Sequence, residues 1–192
     1  MCGIVGLYYR QPGQSADKST LERMCKAIVH RGPDDEGLHL DGHLAMGMRR
    51  LAVIDLESGR QPIYNEDGSI VVVFNGEIYN YRELRSELES LGHKFATNSD
   101  TEVLVHGYET WGTQLPQHLN GMFAFSLWDA PRQRLVLARD HIGVKPLYLY
   151  EDDEKFIWGS EIKAILAVPG IAREIDQHAM FDFFHFATSA RC

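Results

Sequence analysis

The sequence contains no apolar run close to the roughly 20 residues that a membrane-spanning helix needs. Its first residues also lack the basic stretch and apolar core of a secretion signal, so we expect a cytoplasmic protein with no membrane partner. Basic residues are scarce, since 19 lysines and arginines stand against 27 aspartates and glutamates. Because nucleic-acid binding relies on basic side chains that contact phosphates, the formal net charge of -8 predicts no nucleic-acid partner.

Cysteine is scarce as well. Cys2, Cys25 and Cys192 are an odd number scattered over the chain, so they predict neither a disulfide framework nor a CxxC metal pair. His39 and His43 flank an Asp-Gly turn instead of sharing a helix face, and we predict no metal site. Walker, GxGxxG, GxSxG and HExxH motifs are absent from the sequence, which leaves nucleotide-binding, serine-hydrolase and zinc-protease chemistry without support.

The remaining composition, 44% hydrophobic and 24% charged over 192 residues, is typical of one globular domain with a sizeable core. Runs rich in β-branched and aromatic residues predict strands at 3–9, 42–54, 70–78, 122–129, 134–140 and 146–151. Hairpin-sized gaps such as APRQ and DDEK separate neighbouring runs, and helical segments cluster between the pairs. This order predicts antiparallel sheets with helices packed outside them, and a doubly wound parallel sheet is the weaker alternative.

Three segments combine helical spacing of apolar residues with capping residues, namely 19–30, 80–92 and 99–112. The predicted N-caps are Ser19, Asn80 and either Ser99 or Asp100, with Glu22 and Glu83 completing capping boxes at the first two. Gly92 and Gly112 are placed to end the second and third helices. A further helix is expected near DQHAMFDFFHF at the end of the chain.

Cys2 stands directly after the initiator methionine. A thiol reacts as its thiolate and therefore needs a base. Removal of Met1 would give Cys2 an α-amino group of its own, and such groups titrate near neutral pH. Position and chemistry leave two interpretations open, a nucleophile that carries its own base or a half-buried cysteine that starts a strand.

Asn75 and Gly76 follow an apolar run in FNGEIYN. A side-chain amide beside an unobstructed backbone N–H supplies two donors for a developing oxyanion. Asn-Gly is also the commonest tight-turn dipeptide, and taken alone it favours the turn.

Arg50 and Asp100 form a second candidate pair. A guanidinium and a carboxylate together match the two charges of an α-amino acid. Taken singly, Arg50 is better explained as a solvated strand residue and Asp100 as a helix cap. The dense segment HRGPDDEG, with His30, Arg31 and Asp34, is expected to be a loop between the first helix and the next strand.

Eight motifs together resemble the glutaminase domain, a class II glutamine amidotransferase, of glutamine-hydrolysing asparagine synthetase. They occur in order over nearly the whole chain: MCGIVG, HRGPD, RRLAVIDLESGRQP, FNGEIYNYRELR, SDTEV, LNGMFAFSLWD, ARDHIGVKPLY and GSEIKAIL.

The resemblance implies an α+β fold of the N-terminal-nucleophile hydrolase type, a four-layer α-β-β-α sandwich with two antiparallel sheets. It also implies that Cys2 attacks the side-chain amide of glutamine through a thioester. Asn75 and Gly76 would form the oxyanion hole, and Glu77 and Asp100 would face the α-ammonium. Arg50 would bind the carboxylate, and the backbone of Leu51, Ala52, Val53 and Ile54 would line the same site.

In the family, a larger synthetase domain uses ATP and Mg and receives the ammonia, and the resemblance implies no cofactor within this domain. Residues 1–192 are therefore expected to be one type-2 glutamine amidotransferase domain, with the last 15 or so residues starting a linker. The chain would be either a fragment of a larger enzyme or a free-standing module, and a homodimer stays open. Two alternatives remain: a domain serving a sugar or phosphoribosyl acceptor, or an idle regulatory module that retains Met1.

Overall fold

The computed structural model describes residues 2–11, 13–51 and 59–186. Its strands are Gly3–Tyr9 (β1), Asp35–Asp41 (β2), Leu44–Arg50 (β3), Ile63–Tyr64 (β4), Ile70–Ile78 (β5), Gly121–Asp129 (β6), Arg134–Arg139 (β7), Tyr148–Glu151 (β8) and Lys155–Gly159 (β9). Its helices are Lys18–Ala27 (α1), Tyr81–Ser90 (α2), Glu102–Trp111 (α3), Ile162–Ile165 (α4) and Gln177–Phe186 (α5). Short 3₁₀ turns at Val29–Arg31 and Gly112–Gln117 follow α1 and α3.

The strands form two sheets in which every paired neighbour is antiparallel. The first sheet has the order β2-β3-β1-β9-β8, and the second has the order β4-β5-β6-β7. Apolar side chains from both sheets meet in a shared core that includes Ile4, Met48, Val73, Ala124 and Trp158. The prediction of antiparallel sheets is confirmed.

Helices cover the outer face of each sheet. Leu21, Met24 and Cys25 of α1 pack with α4 residues against the first sheet. Leu84 and Leu88 of α2 pack with residues of α3 against the second sheet. The layer order is therefore helix, sheet, sheet, helix, as the resemblance implied. Among the described residues, no helix has both the length and the apolar character needed to cross a bilayer.

Strands β2, β3, β4 and β9 differ from the sequence prediction, and Lys155–Gly159 (β9) lies outside every predicted run. The segment predicted as a loop around residues 30–37 instead enters β2, because Asp35 to Asp41 pair with the whole of β3. The strand predicted over 42–54 is β3 and ends at Arg50, while residues 52–54 lie outside the described part. Two-residue β4 is too short to leave an alternating pattern in the sequence.

The helix caps also differ. In α1 the cap is Asp17, not Ser19, and its carboxylate accepts the backbone N–H of Thr20 at 2.8 Å. Asn80 does precede α2, but its side chain bonds to His118 and Asn120 across the loop and not to the helix. Helix α3 begins after Thr101, so neither Ser99 nor Asp100 is its N-cap. Gly92 and Gly112, with φ of 102° and 57°, end α2 and α3 as predicted.

Candidate active site

A cavity of about 290 Å³ is lined by both sheets and by the segment that leads into α3. Cys2 and Arg50 come from the ends of β1 and β3 in the first sheet, and Asn75 and Glu77 come from β5 in the second. Strand alternation explains this convergence, because residues two apart share a face. Ile4, Met48 and Val73 lie in the core between the sheets, two residues from Cys2, Arg50 and Asn75 respectively. The cavity therefore continues the inter-sheet core.

Cys2 is held at the start of β1 by contacts to its backbone and its sulfur. Its Sγ lies 3.4 Å from the backbone N of Leu51, which donates to it, and 3.6 Å from the Leu51 carbonyl oxygen. The Nε of Arg31 donates to the Cys2 carbonyl at 2.9 Å, and Arg31 also pairs with Glu161 at 3.2 Å. The thiol is half-buried and faces the cavity.

Cys25 offers a contrast within the same chain. It is fully buried between α1 and the first sheet. Burial raises the pKa of the Cys25 thiol to about 12, so this thiol stays protonated at physiological pH. Of the two cysteines that the structure describes, only Cys2 combines access to a cavity with neighbouring polar groups.

Asn75 and Gly76 lie inside β5 and do not form a tight turn. Asn75 is paired with Ala124 and Gly76 with Phe123 across the β5–β6 ladder. The amide nitrogen of Asn75 is buried on the cavity wall, and no acceptor for it exists within the described residues. Most buried donors in proteins are satisfied, so an unpaired amide aimed at a cavity points to an anionic or carbonyl ligand.

Gly76 is required by packing. A Cβ at this position would lie 2.2 Å from the carbonyl oxygen of Met122 and 2.8 Å from the Cα of Phe123. Real Cβ atoms do not approach backbone so closely, so a side chain here would push β5 and β6 apart. The glycine thus holds β6 against the site while leaving its own backbone open to the cavity.

Asp100 and Glu77 supply negative charge. The Asp100 carboxylate is 7% exposed and accepts the backbone N–H of Ile78 at 2.9 Å, which ties the segment before α3 to the end of β5. Burial raises the pKa of Asp100 above its ordinary value, and the nearby Glu77 carboxylate raises it further against the Ile78 hydrogen bond. Two carboxylates in one cavity favour a cationic ligand group.

Arg50, at 5% exposure, lines the same cavity with Leu51. The structure thus brings together Cys2, Arg50, Leu51, Asn75, Gly76, Glu77 and Asp100, all predicted from the sequence. The predicted contributions of Ala52, Val53 and Ile54 lie outside the described residues.

Sequence reasoning missed two supporting residues, Gln61 and Lys145, and expected a third, Arg31, only as part of a loop. Gln61 accepts the backbone N–H of Phe74 at 2.7 Å and donates to Thr101 at 3.4 Å, bridging β5 to the start of α3. Lys145, 6% exposed, adds a second cation to the cavity wall. Arg31 fixes the Cys2 backbone. Gln61, Lys145 and Arg31 lie in the motifs RRLAVIDLESGRQP, ARDHIGVKPLY and HRGPD respectively. Membership in these motifs was the sequence signal that could have identified them.

Solved structures establish the class of the fold. The chain superposes on glutamine phosphoribosylpyrophosphate amidotransferase from B. subtilis with a TM-score of 0.71, at 22% identity, over 87% of this chain and 43% of that one. A structure described as the allosteric regulatory enzyme of purine biosynthesis gives a TM-score of 0.75 at 21% identity, over 92% of this chain and 46% of that one. The fold is that of the N-terminal-nucleophile amidotransferases.

Sequence comparison gives the family. The profile of the glutamine amidotransferase domain matches residues 1–191, and the chain belongs to this family. Asparagine synthetase [glutamine-hydrolyzing] 3 of Bacillus subtilis (strain 168) is 43% identical over 98% of this chain and 31% of its own length. Asparagine synthetase [glutamine-hydrolyzing] 2 of Oryza sativa subsp. japonica is 43% identical over 86% of this chain and 28% of its own. The chain thus spans about a third of these relatives.

Proposed function

We propose that this chain hydrolyses the side-chain amide of L-glutamine to glutamate and ammonia. The observation that carries the proposal is the convergence of the Cys2 thiol and the unpaired Asn75 amide on one cavity. A nucleophile and an oxyanion donor in a shared cavity are the two requirements of acyl transfer from an amide. The family to which the chain belongs supports glutamine as the amide donor.

The substrate's two charges have candidate partners in the same cavity. Arg50 would take the α-carboxylate, and Asp100 with Glu77 would take the α-ammonium. Because Asp100 and Arg50 are both more than nine-tenths buried, a ligand that carries both opposite charges should be bound more strongly than one that carries neither. Glutamine is therefore expected to react much faster than a simple amide such as butyramide.

The reaction would proceed in two halves. After removal of Met1, the α-amine of Cys2 accepts the thiol proton, and sulfur attacks the amide carbon to form a tetrahedral oxyanion near Asn75 and Gly76. The C–N bond breaks, ammonia leaves with a proton returned from the amine, and a γ-glutamyl thioester remains. Water then attacks the thioester, losing a proton to the amine, and releases glutamate and the thiol.

We also propose that the ammonia serves asparagine synthesis by an ATP- and Mg-dependent synthetase domain or subunit. The support is the name carried by the relatives that are 43% identical to this chain. The exposed apolar side chains of Ile142 and Val144, within three residues of the cavity residue Lys145, would suit contact with such a partner.

Two measurements on the purified chain test the glutaminase. Its intact mass should lack one methionine, and L-glutamine should yield glutamate and ammonia in equal amounts. Cys2→Ala should abolish turnover yet keep glutamine binding, because one small side chain at the end of a strand contributes little packing. Cys25→Ala, which removes a thiol outside the cavity, should keep activity per folded molecule.

Ammonia release by Cys2→Ala at the parent rate would refute the thiol mechanism. Retention of Met1 together with inactivity would instead favour the idle regulatory module. Glutaminase activity that is stimulated by a sugar-phosphate or phosphoribosyl acceptor, and not under asparagine-synthesis conditions, would replace the proposed acceptor while leaving the glutaminase intact.

A further inference from the structure

Four side chains capable of binding a metal ion meet between α3, the β4–β5 turn and the segment after α2. Glu66 lies in the turn between β4 and β5, His93 follows α2, and His106 and Glu109 lie on α3. One ligand atom from each lies within 4.8 Å of all the others. These four residues, called the His–Glu cluster below, share no residue with the candidate active site.

The spacing within the cluster matches a tetrahedral ion. The Nδ1 of His106 lies 3.2 Å from an Oε of Glu109 and 3.5 Å from an Oε of Glu66. The Nδ1 of His93 lies 3.6 Å from the same oxygen of Glu109, Oε2, and 3.9 Å from the other oxygen of Glu66, Oε1. Ligands about 2.1 Å from a Zn²⁺ ion in tetrahedral geometry are about 3.4 Å apart. Three of the cluster's distances already fall near this value, and the wider pairs, none beyond 4.8 Å, would have to close by at most about 1.4 Å.

Both histidines turn the same ring nitrogen inward and anchor the other. The Nε2 of His93 lies 2.9 Å from the hydroxyl oxygen of Thr110, whose own hydrogen is donated to the His106 carbonyl at 3.1 Å. Thr110 must therefore accept, and His93 must carry its proton on Nε2. The Nε2 of His106 faces a Glu102 carboxylate oxygen at 3.4 Å, which also requires a proton there. Both Nδ1 atoms are left as the inward-facing atoms.

The two glutamates are anchored in the same way. One oxygen of Glu109 accepts from the side-chain amide of Asn65 at 2.9 Å, leaving the other directed at His106. One oxygen of Glu66 accepts the backbone N–H of Lys94 at 3.1 Å, leaving the other 3.5 Å from His106. An outer hydrogen bond on every inner group is the arrangement that orients ligands in metal sites.

The inward-facing Nδ1 of His106 is hydrogen-bonded to Glu109 at 3.2 Å, so a bound metal ion would take the place of the proton that joins them. We propose that the His–Glu cluster binds one divalent ion of the zinc type. Two imidazole nitrogens and two carboxylates, with no thiolate, suit Zn²⁺ or Co²⁺ and disfavour the all-oxygen preference of Mg²⁺ and Ca²⁺. With four protein ligands the site would be structural, joining α3 to the β4–β5 turn and to the segment after α2.

Zinc titration tests the proposal in the 192-residue chain carrying Cys2→Ala, which removes chelation by a terminal thiol and amine. Calorimetry should give one Zn²⁺ per chain, and excess Mg²⁺ should not displace it. Ring ¹⁵N spectra should show His93 and His106 metallated at Nδ1. The melting temperature should rise by about 5 to 10 °C at a zinc concentration 100 times Kd.

The matched variants carry equal changes of charge. Glu66→Gln with Glu109→Gln keeps the outer hydrogen bonds and should weaken zinc binding at least about 100-fold. Glu83→Gln with Glu87→Gln, on the exposed face of α2, should leave it unchanged. If the first pair does not fold in EDTA, His93→Gln, at a partly exposed position, replaces it. Absence of zinc binding, equal binding by both pairs, or metallation of other histidines would overturn the proposal, leaving an ion-pair network.

Discussion

The two sheets contribute different halves of the candidate site. The first sheet carries the Cys2 thiol, the proposed nucleophile, and the cation Arg50, both at strand ends. The second sheet carries the polar groups Asn75 and Glu77 within the length of β5. The position of Cys2, at a strand end, depends on a side chain such as Arg31, and we call this the adjustable half of the site. Residues inside β5 are fixed by backbone pairing with β6, and we call this the rigid half.

This difference indicates which parts of the site are rigid. Nine register pairs between β5 and β6 fix Asn75 and Gly76, the proposed oxyanion donors, while the position of the Cys2 sulfur depends on a few side-chain and backbone contacts. Because Ile4, Met48 and Val73 pack between the sheets, the distance from sulfur to donors depends on the shared core. Changes in the second sheet should alter transition-state stabilisation, and changes around Cys2 should alter how the nucleophile is presented.

Asn75→Ala tests the rigid half and should have the largest effect among the changes that leave the nucleophile in place. We expect kcat for glutamine hydrolysis to fall by about 10²- to 10³-fold with a smaller change in KM, because the amide donor acts on charge developed in the transition state. Steady-state kinetics measure both constants. Asn120→Ala, at an exposed position outside the cavity, is the control. An increase in KM alone would make Asn75 a ground-state contact.

Asp100→Asn removes the charge of a carboxylate that lies just before α3 and accepts a hydrogen bond from the end of β5. Asparagine still accepts the Ile78 N–H, so the loss should appear as an increase in KM of about 10- to 100-fold, the value of one charged hydrogen bond. The cap interpretation is already excluded, because α3 begins after Thr101. If Asp100→Asn bound glutamine as tightly as the parent does, the α-ammonium would have to be assigned to Glu77 instead of Asp100.

The pH dependence of the parent gives the same test without a mutation. Burial raises the pKa of Asp100 in the free protein, so kcat/KM should fall as pH decreases through that raised value, where Asp100 becomes protonated. A bound ammonium favours the charged carboxylate and lowers the pKa, so the acid limb of kcat should lie at lower pH than that of kcat/KM. In Asp100→Asn the side chain no longer titrates, so the acid limbs of kcat and of kcat/KM should coincide.

Arg31→Gln tests the adjustable half and should have the smallest effect. Losing one hydrogen bond to the Cys2 carbonyl should lower kcat by about 5-fold with KM unchanged, because Arg31 positions the nucleophile without touching the substrate cavity. Arg31→Lys should restore part of the rate. Equal loss in kcat and in thermal stability, with no rescue by lysine, would indicate that Arg31 serves the fold only.

Much of the fold was predictable because strand composition is a local property. Strands β1 and β5 have the predicted bounds, and the antiparallel arrangement followed from hairpin-sized gaps. Strand β2 was harder to predict, because its sequence DEGLHLD mixes charged and apolar residues without a strand pattern. Its extended conformation is instead fixed by pairing with β3. The cap at Asp17 was missed because Ser19 offered an equally good local pattern, and only backbone geometry distinguishes them.

The candidate site was predictable largely through motifs, since residue types alone favoured a turn at Asn75–Gly76 and a cap at Asp100. Both local interpretations are wrong, because pairing across the sheet and the Ile78 contact are long-range features. The expectation of no metal site considered only local patterns, namely cysteine pairs, the HExxH motif and the neighbouring His39 and His43. Glu66, His93 and His106 are separated by 27 and 13 residues, and folding alone brings them together.

The crowding at Gly76 has an evolutionary consequence. The carbonyl of Met122 excludes any side chain at this position whether or not the protein catalyses a reaction. A descendant that lost its enzymatic role would therefore be free to vary at Cys2 and Asn75, whereas purifying selection for a foldable chain would still preserve the glycine. Among relatives, retention of Gly76 would mark common architecture, and substitution of Asn75 beside an intact Gly76 would mark lineages in which hydrolysis has been abandoned.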